Sequence, residues 1–287
     1  MKFAFALLAT ISWMGCGVDT AAPGTGGGDD TTGVPPGTDP GNPTDPGDGT
    51  GPITEVSGHI TATTTWMGTI HVTASTIIDA KVTVTVLPGT TVDMSTGTGI
   101  TVSGVLDLQG TKASKVVFRP ATTGEFWTNI VVPAGGVLKA SYLVQTSGGL
   151  YISGTGKATL VDSQLSHAGG DLLTMLGGTL DMTYSAIGLE TGRDTTHCNM
   201  HVSSSPVIKA SHSNISTASY GIMFYGGVNA DFTYDNWFGN SIDIATDPPH
   251  PVTGNLSYSY FAKGNPTYAG FTVTNMATSR VADAGVR

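Results

Sequence analysis

The densest group of reactive side chains in this sequence lies in GLETGRDTTHCNMH, residues 188–201, which holds Glu190, Arg193, Asp194, His197, Cys198 and His201. Three chemistries suit residues of these types. Imidazole and thiolate are ligands for Zn²⁺ or copper, which makes His197, Cys198 and His201 the metal candidates. A closed site requires a fourth donor, however, and on an extended strand His197 and Cys198 face opposite ways. No metal or other cofactor is therefore expected. Cys198 fits a core position in phase with Met200 and Val202, which leaves His197, Asn199 and His201 on the outer face. The second chemistry is polysaccharide cleavage, for which Arg193, Asp194 and His201 are the catalytic candidates. Glycosidic hydrolysis calls for paired carboxylates, whereas the matching outward positions of neighbouring segments are Tyr151, Thr174 and Met223, together with Tyr225. The third is binding. His197, Tyr225 and Tyr234 are the candidates for a surface that meets a sugar ring or a protein, alongside Tyr184, Tyr220, Tyr258 and Tyr260. The chain contains no G-x-S-x-G nucleophile elbow.

What must position these residues is a repeat. The segments ASYLV, DSQLS, YSAIG, HSNIS, YDNWF and YSYFA carry anchors at Ser141, Ser163, Ser185, Ser213, Asp235 and Ser259, separated by 22, 22, 28, 22 and 24 residues. An apolar residue follows each anchor by two positions, and another precedes it by three. Such periods mark a solenoid, in which no unit buries its apolar face alone. Two apolar positions five apart point opposite ways on one strand, so both face inward only if the chain turns a corner between them, with the small anchor just past the corner. A second inward pair leads many units: Leu150 and Ile152, Leu173 and Met175, Met200 and Val202, Ile222 and Phe224. Runs such as KVTVTVLPG and GITVSGVLDLQG add the β-branched alternation of pleated strands. The fold class expected is therefore all-β, and the 28-residue interval places about six extra residues in a lateral loop at 188–201.

The stretch TVTVLPGTTVDMSTGTGITVSGVLDLQGTKASKVVFRPA, residues 83–121, together with the later units, resembles a right-handed parallel β-helix of the pectin-lyase-like kind. The resemblance covers roughly residues 58–262 and implies a solenoid of about nine or ten coils, near 45 Å long at about 4.8 Å per coil. It implies little about activity, because this fold serves lyases, hydrolases, adhesins and inert shafts alike.

The N-terminus supplies the context. MKFAFALLATISWMGC reads as a signal segment, residues 1–15, and resembles a bacterial lipoprotein signal with Cys16 as the acylated residue. Trp13 departs from the usual aliphatic residue of that motif, while Gly15 fits it. Residues 16–54 form the lipidated cysteine and a tether expected to be disordered. Of residues 17–52, 31 are Gly, Pro, Thr or Asp, and none is aromatic, Lys or Arg. Six of the aspartates behind the net charge of −9 sit in this tether, so acidity says little about a binding face. With no basic patch, nucleic acid is not an expected partner. Residues 55–263 are assigned to the β-helix and 264–287 to a cap or tail. With Cys16 acylated, no disulfide framework is expected.

The expected protein is a cell-envelope lipoprotein, favoured at the outer membrane. It contacts the membrane through its lipid anchor and has a structural, adhesive, polysaccharide-binding or protein-binding role. The alternative is a lyase or glycoside hydrolase acting from residues 188–201. Replacing Cys16→Ser is expected to abolish metabolic acyl labelling and release the chain from the membrane fraction. Unchanged labelling and fractionation would sink the lipoprotein assignment.

Overall fold

A computed structural model describes residues 52–194, 197–246, 252–266 and 270–287. The signal segment, Cys16 and the tether as far as residue 51 lie outside the described residues. Among those described, there are twenty-five strands, beginning at Ile53, and no helix. Among the described residues no helix is long and apolar enough to cross a membrane.

The chain winds into a parallel β-solenoid of about 9 turns. Each turn visits three sheets in the same order. The first sheet stacks strands such as Val105–Gln109, Val137–Ser141 and Val207–Ser211. The second stacks Leu143–Thr146, Gln164–Ser166, Ala186–Ile187, Asn214–Ser216, Asn236–Phe238 and Tyr260–Phe261. The third stacks Asn129–Val132, the start of Gly149–Val161, the start of Leu173–Thr183, Cys198–Ser203, Tyr220–Phe224 and Ile242–Thr246. Every pairing in these stacks is parallel, because each strand meets its counterpart one turn earlier and one turn later.

Register turns the alternating sequence into continuous apolar rungs. In the first sheet Val84, Leu106, Leu138, Ala158, Leu180, Ile208 and Ala230 lie over one another, and all are buried. The inward pairs of the third sheet stack likewise: Leu150, Leu173, Met200 and Ile222 in one rung, Ile152, Met175, Val202 and Phe224 in the next. Each such residue contributes about 1.5–3 kcal/mol by leaving water. In the second sheet Leu165, Ile187, Ile215, Trp237 and Phe261 form a rung. Trp237 is fully buried there, parallel to Phe261 at 5.3 Å and edge-on to Phe232 at 5.1 Å.

The corner between the first and second sheets explains the anchors. The residue before the bend has positive φ in turn after turn: Tyr142, Asp162, Tyr184, His212, Tyr234 and Tyr258, between 48 and 63°. The anchors Ser163, Ser185, Ser213, Asp235 and Ser259 follow directly and are fully buried. Their side chains form a ladder. The N–H groups of Leu143, Ser163 and Ser185 donate to the hydroxyls of Ser163, Ser185 and Ser213, at 3.1, 3.1 and 3.2 Å. Ser213 N–H donates to Asp235 Oδ1 at 2.7 Å, and Asp235 N–H to the Ser259 hydroxyl at 3.0 Å. Ser163, Ser185 and Ser213 also donate to the carbonyls of Val161, Thr183 and Ser211. Small size is thus only part of the reason serine recurs, since each hydroxyl satisfies a buried backbone donor one turn away. Ser141 is not a rung. It pairs with Val161, two residues out of phase with the other anchors, and the true counterpart of Ser163 is Leu143.

Asp235 stands where serine is otherwise used. Complete burial pushes its carboxyl well above the usual value, offset only in part by the Ser213 N–H, and Oδ2 has no hydrogen-bond partner among the described residues. The protonated acid imitates serine, accepting at one oxygen and carrying a hydrogen on the other. Its contribution is complete below the ordinary aspartate value of 3.8 and is lost as pH rises toward and through the raised folded value. Asp235→Ser is therefore expected to stabilise the chain, and by more at mildly alkaline than at mildly acidic pH. Urea midpoints at the two pH values test this, and a gain that does not grow with pH contradicts it.

Candidate functional site

The irregular coil leaves the solenoid at the corner between the second and third sheets, after Ala186–Ile187, and rejoins it at Cys198–Ser203. Gly188 permits the departure. Its φ is +100°, and a Cβ there would stand 2.0 Å from the Ser216 carbonyl oxygen, so no side chain fits. The loop is then tied to the following turn. The Leu189 carbonyl accepts from the Ser216 and Thr217 hydroxyls, and Glu190 accepts from Asn214 at 2.7 Å and from Arg280 at 2.9 Å.

Arg193 and Asp194 adjoin in sequence but part in space. Arg193 is exposed and donates to the Ser219 hydroxyl. Asp194 turns inward with a fully buried side chain. Its Oδ1 accepts the His167 N–H at 2.6 Å, and its Oδ2 has no hydrogen-bond partner among the described residues. Burial raises the Asp194 carboxyl to about 6, against the opposing pull of the His167 N–H and ring. A carboxyl with that value suits a general acid, but one without solvent access cannot reach a glycosidic oxygen. Its role here is to fasten the loop to the preceding turn.

The remaining candidates converge elsewhere, on an acid that the sequence pattern did not single out. Asp171 lies one turn back in the same corner, in register with Cys198 through the Leu173–Met200 pairing. Its Oδ1 meets His197 Nδ1 and accepts the Cys198 N–H at 3.1 Å, and its Oδ2 is 3.2 Å from His201 Nδ1. Burial raises the Asp171 carboxyl, but the contacts with His201, His197 and the Cys198 N–H outweigh it and hold the group below the usual range. Tyr225 stacks on His201 with ring centroids 4.4 Å apart, and its hydroxyl lies 2.8 Å from Met223 Sδ. Cys198 is fully buried, with Sγ 4.0 Å from the same sulfur. Two positions depart from the alternation expected of residues 197–201. His197 precedes the strand, which begins at Cys198, so a ring nitrogen of His197 and the Cys198 sulfur do not face opposite ways but lie within 4.8 Å of each other. Asn199 is buried rather than outward, because its amide donates to the carbonyls of Ile187 and Ser216 beneath the loop.

No protein-family model, curated protein or solved structure matches the chain.

Tyr234 belongs to a different feature. It stacks between His212 and Tyr258 at 4.9 and 4.7 Å, and His212 stacks on Tyr184 at 5.0 Å. This external ladder occupies the positive-φ corner, one residue before the buried anchors. Its signal was present in the sequence as the residue preceding each anchor in YSAIG, HSNIS, YDNWF and YSYFA. The ladder continues into a C-terminal clamp. The Arg287 guanidinium lies 3.6 Å over the Tyr184 ring and pairs with Asp162 at 2.9 Å. Hydrogen bonds from Arg287 lower the Asp162 carboxyl.

The raised Asp194 carboxyl has a measurable consequence. The stability of its protonated form is complete below the ordinary value of 3.8 and is lost as pH rises through about 6. Asp194→Asn is expected to flatten the stability profile across that window. A carbon-detected titration should place the wild-type carboxyl near pH 6, and a midpoint in the ordinary aspartate range would refute the assignment.

Proposed function

We propose that the chain is a lipid-anchored β-helix protein of the pectin-lyase-like kind, held at the outer membrane of a bacterial envelope on its periplasmic or outer face, with a non-catalytic structural or binding role toward polysaccharide or an envelope protein. The observation that carries this reading is the use made of the carboxylates around the irregular coil. Asp194 holds the His167 N–H, Asp171 holds His197, His201 and the Cys198 N–H, Glu190 holds Asn214 and Arg280, and Asp162 holds Arg287. Each is committed to a separate tie between parts of the solenoid, whereas glycosidic cleavage uses two carboxylates flanking one bond.

A second reading has one observation in its favour. A histidine held by a carboxylate, as His201 is by Asp171, with Tyr225 stacked on it, has the form of a base oriented by its partner. That arrangement supports a lyase acting from residues 188–201. The binding reading draws instead on the most exposed rungs of the aromatic ladder, Tyr234 and Tyr258, at 38% and 40%, and on the shallow groove lined by Asp181, Lys209, Asp231 and Asn255 on the first sheet.

A panel of acidic and neutral polysaccharides separates the two. The binding reading expects retardation in polysaccharide-containing gels without depolymerisation. Tyr234→Ala combined with Tyr258→Ala should then weaken retention about tenfold, as follows from aromatic contacts of about 0.5–1.5 kcal/mol each. Cleavage of any polymer that is abolished by His201→Ala would establish the enzymatic reading instead.

A further inference from the structure

The cluster around Asp171 has the makings of a site that the non-catalytic reading does not require. Three donor atoms of different chemistry, a carboxylate oxygen of Asp171, a ring nitrogen of His197 and Sγ of Cys198, lie within 4.8 Å of one another. A fourth candidate donor, His201 Nδ1, is 3.2 Å from Asp171 Oδ2 and lies outside that 4.8 Å group. Among the described residues this is the one group of three or more His, Cys, Asp and Glu side chains so arranged. A tetrahedral Zn²⁺ with ligands at about 2.0–2.3 Å holds its donor atoms about 3.3–3.8 Å apart, so closure around the first three calls for side-chain adjustments on the order of 1 Å, and His201 joins them by a larger side-chain rotation.

We infer that Asp171, His197, Cys198 and His201 form a binding site for a tetrahedral divalent cation, Zn²⁺ being the ion whose ligand preferences they match. Four features carry this. The donors are a carboxylate, a thiolate and two imidazoles, a mixture suited to a borderline-soft ion and unsuited to Ca²⁺ or Mg²⁺. With one carboxylate, one thiolate and two neutral imidazoles, the ion is charge-balanced in a largely buried setting. The donors are gathered in advance, because the Asp171 carboxylate meets both imidazoles and the Cys198 N–H. An entry path exists, since the His197 and His201 side chains are 40% and 28% exposed while Sγ forms the floor.

Binding displaces the Cys198 thiol proton to solvent as the S–metal bond forms, and no oxidation or reduction takes place. Four protein donors complete the coordination, which makes this a structural site without a position for substrate. Its mechanical effect is specific. His197, Cys198 and His201 close the irregular loop, and Asp171 belongs to the preceding turn, so the ion rivets the loop's return to the solenoid.

The test uses the full chain carrying Cys16→Ser, so that Cys198 is its single thiol. After chelator treatment, Zn²⁺ is titrated against a chromophoric competitor, and Co²⁺ is used as the spectroscopic probe. The expected result is one ion per chain, with the visible bands of four-coordinate cobalt and a thiolate-to-cobalt charge-transfer band. Cys198→Ser should remove the charge-transfer band. Asp171→Asn and His201→Ala should each weaken Zn²⁺ binding at least tenfold, the lower end for losing even an outer partner of a bound metal. Should Cys198→Ser fail to fold, the wild-type cobalt spectrum and His201→Ala, at a partly exposed position, decide the matter. A chain that takes up no stoichiometric Zn²⁺ or Co²⁺, a six-coordinate cobalt spectrum lacking the thiolate band, or affinity unchanged in both Asp171→Asn and His201→Ala overturns the site. None of these measurements depends on whether polysaccharide is bound or cleaved.

Discussion

A β-solenoid depends on what happens to the backbone at its corners. Along each sheet, parallel pairing satisfies every amide, but where the chain bends the ladder is interrupted and an inward N–H loses its partner. A buried donor left in that condition costs about 1–3 kcal/mol, and a corner repeats the cost at every turn. Here the serine ladder removes it. Each anchor hydroxyl accepts an N–H from the turn before and, in Ser163, Ser185 and Ser213, donates to a carbonyl of its own turn. Because the bond crosses between turns, it also fixes register. A slip of one residue would break the ladder and reverse the apolar faces of all three sheets together.

That constraint governs the outer surface as much as the core. The anchor faces inward only if the residue before it takes the left-handed conformation, which holds that preceding side chain outside at the same height in each turn. Residues at such positions stack at the coil spacing, so Tyr184, His212, Tyr234 and Tyr258 come to lie 4.7–5.0 Å apart. The 28-residue coil obeys the same rule. Its extra residues leave from the opposite corner, between the second and third sheets, and the Ser185 and Ser213 rungs on either side remain bonded across a 28-residue separation.

Much of this was legible in the sequence because it is periodic. The all-β class, the inward pairs and the irregular coil each follow from spacing and alternation. What was illegible depended on conformation or on position between strands. Ser141 satisfies the same letter pattern as Ser163, yet the left-handed residue follows Ser141 and precedes Ser163, a difference that spacing cannot reveal. Asp171 was missed because it lies in a bend, in HAGGDLL, where neither strand nor repeat periodicity marks it. The separation of Arg193 from Asp194 has a similar origin, since a loop with one residue turned inward has no period to predict from.

The C-terminal segment adds a coupling that nearest-neighbour stacking lacks. In an ideal solenoid each turn contacts only the next, so unfolding can begin at an exposed end and pass inward one turn at a time. In this chain, residues 277–287 run back across the second sheet. Ala277 N–H reaches Ser259, Val281 and Asn236 exchange two hydrogen bonds, Gly285 N–H reaches His212, and Arg287 reaches Asp162. These ties connect turns separated by nearly a hundred residues of sequence, from Asp162 to Ser259. The Asp162 side chain is only 2% exposed, so losing Arg287 would strand a largely buried carboxylate without its counter-charge. Opening the last turn therefore draws on contacts several turns away. The same segment thus ties together coils from Asp162 onward, a stretch that includes the irregular loop and the Asp171 cluster.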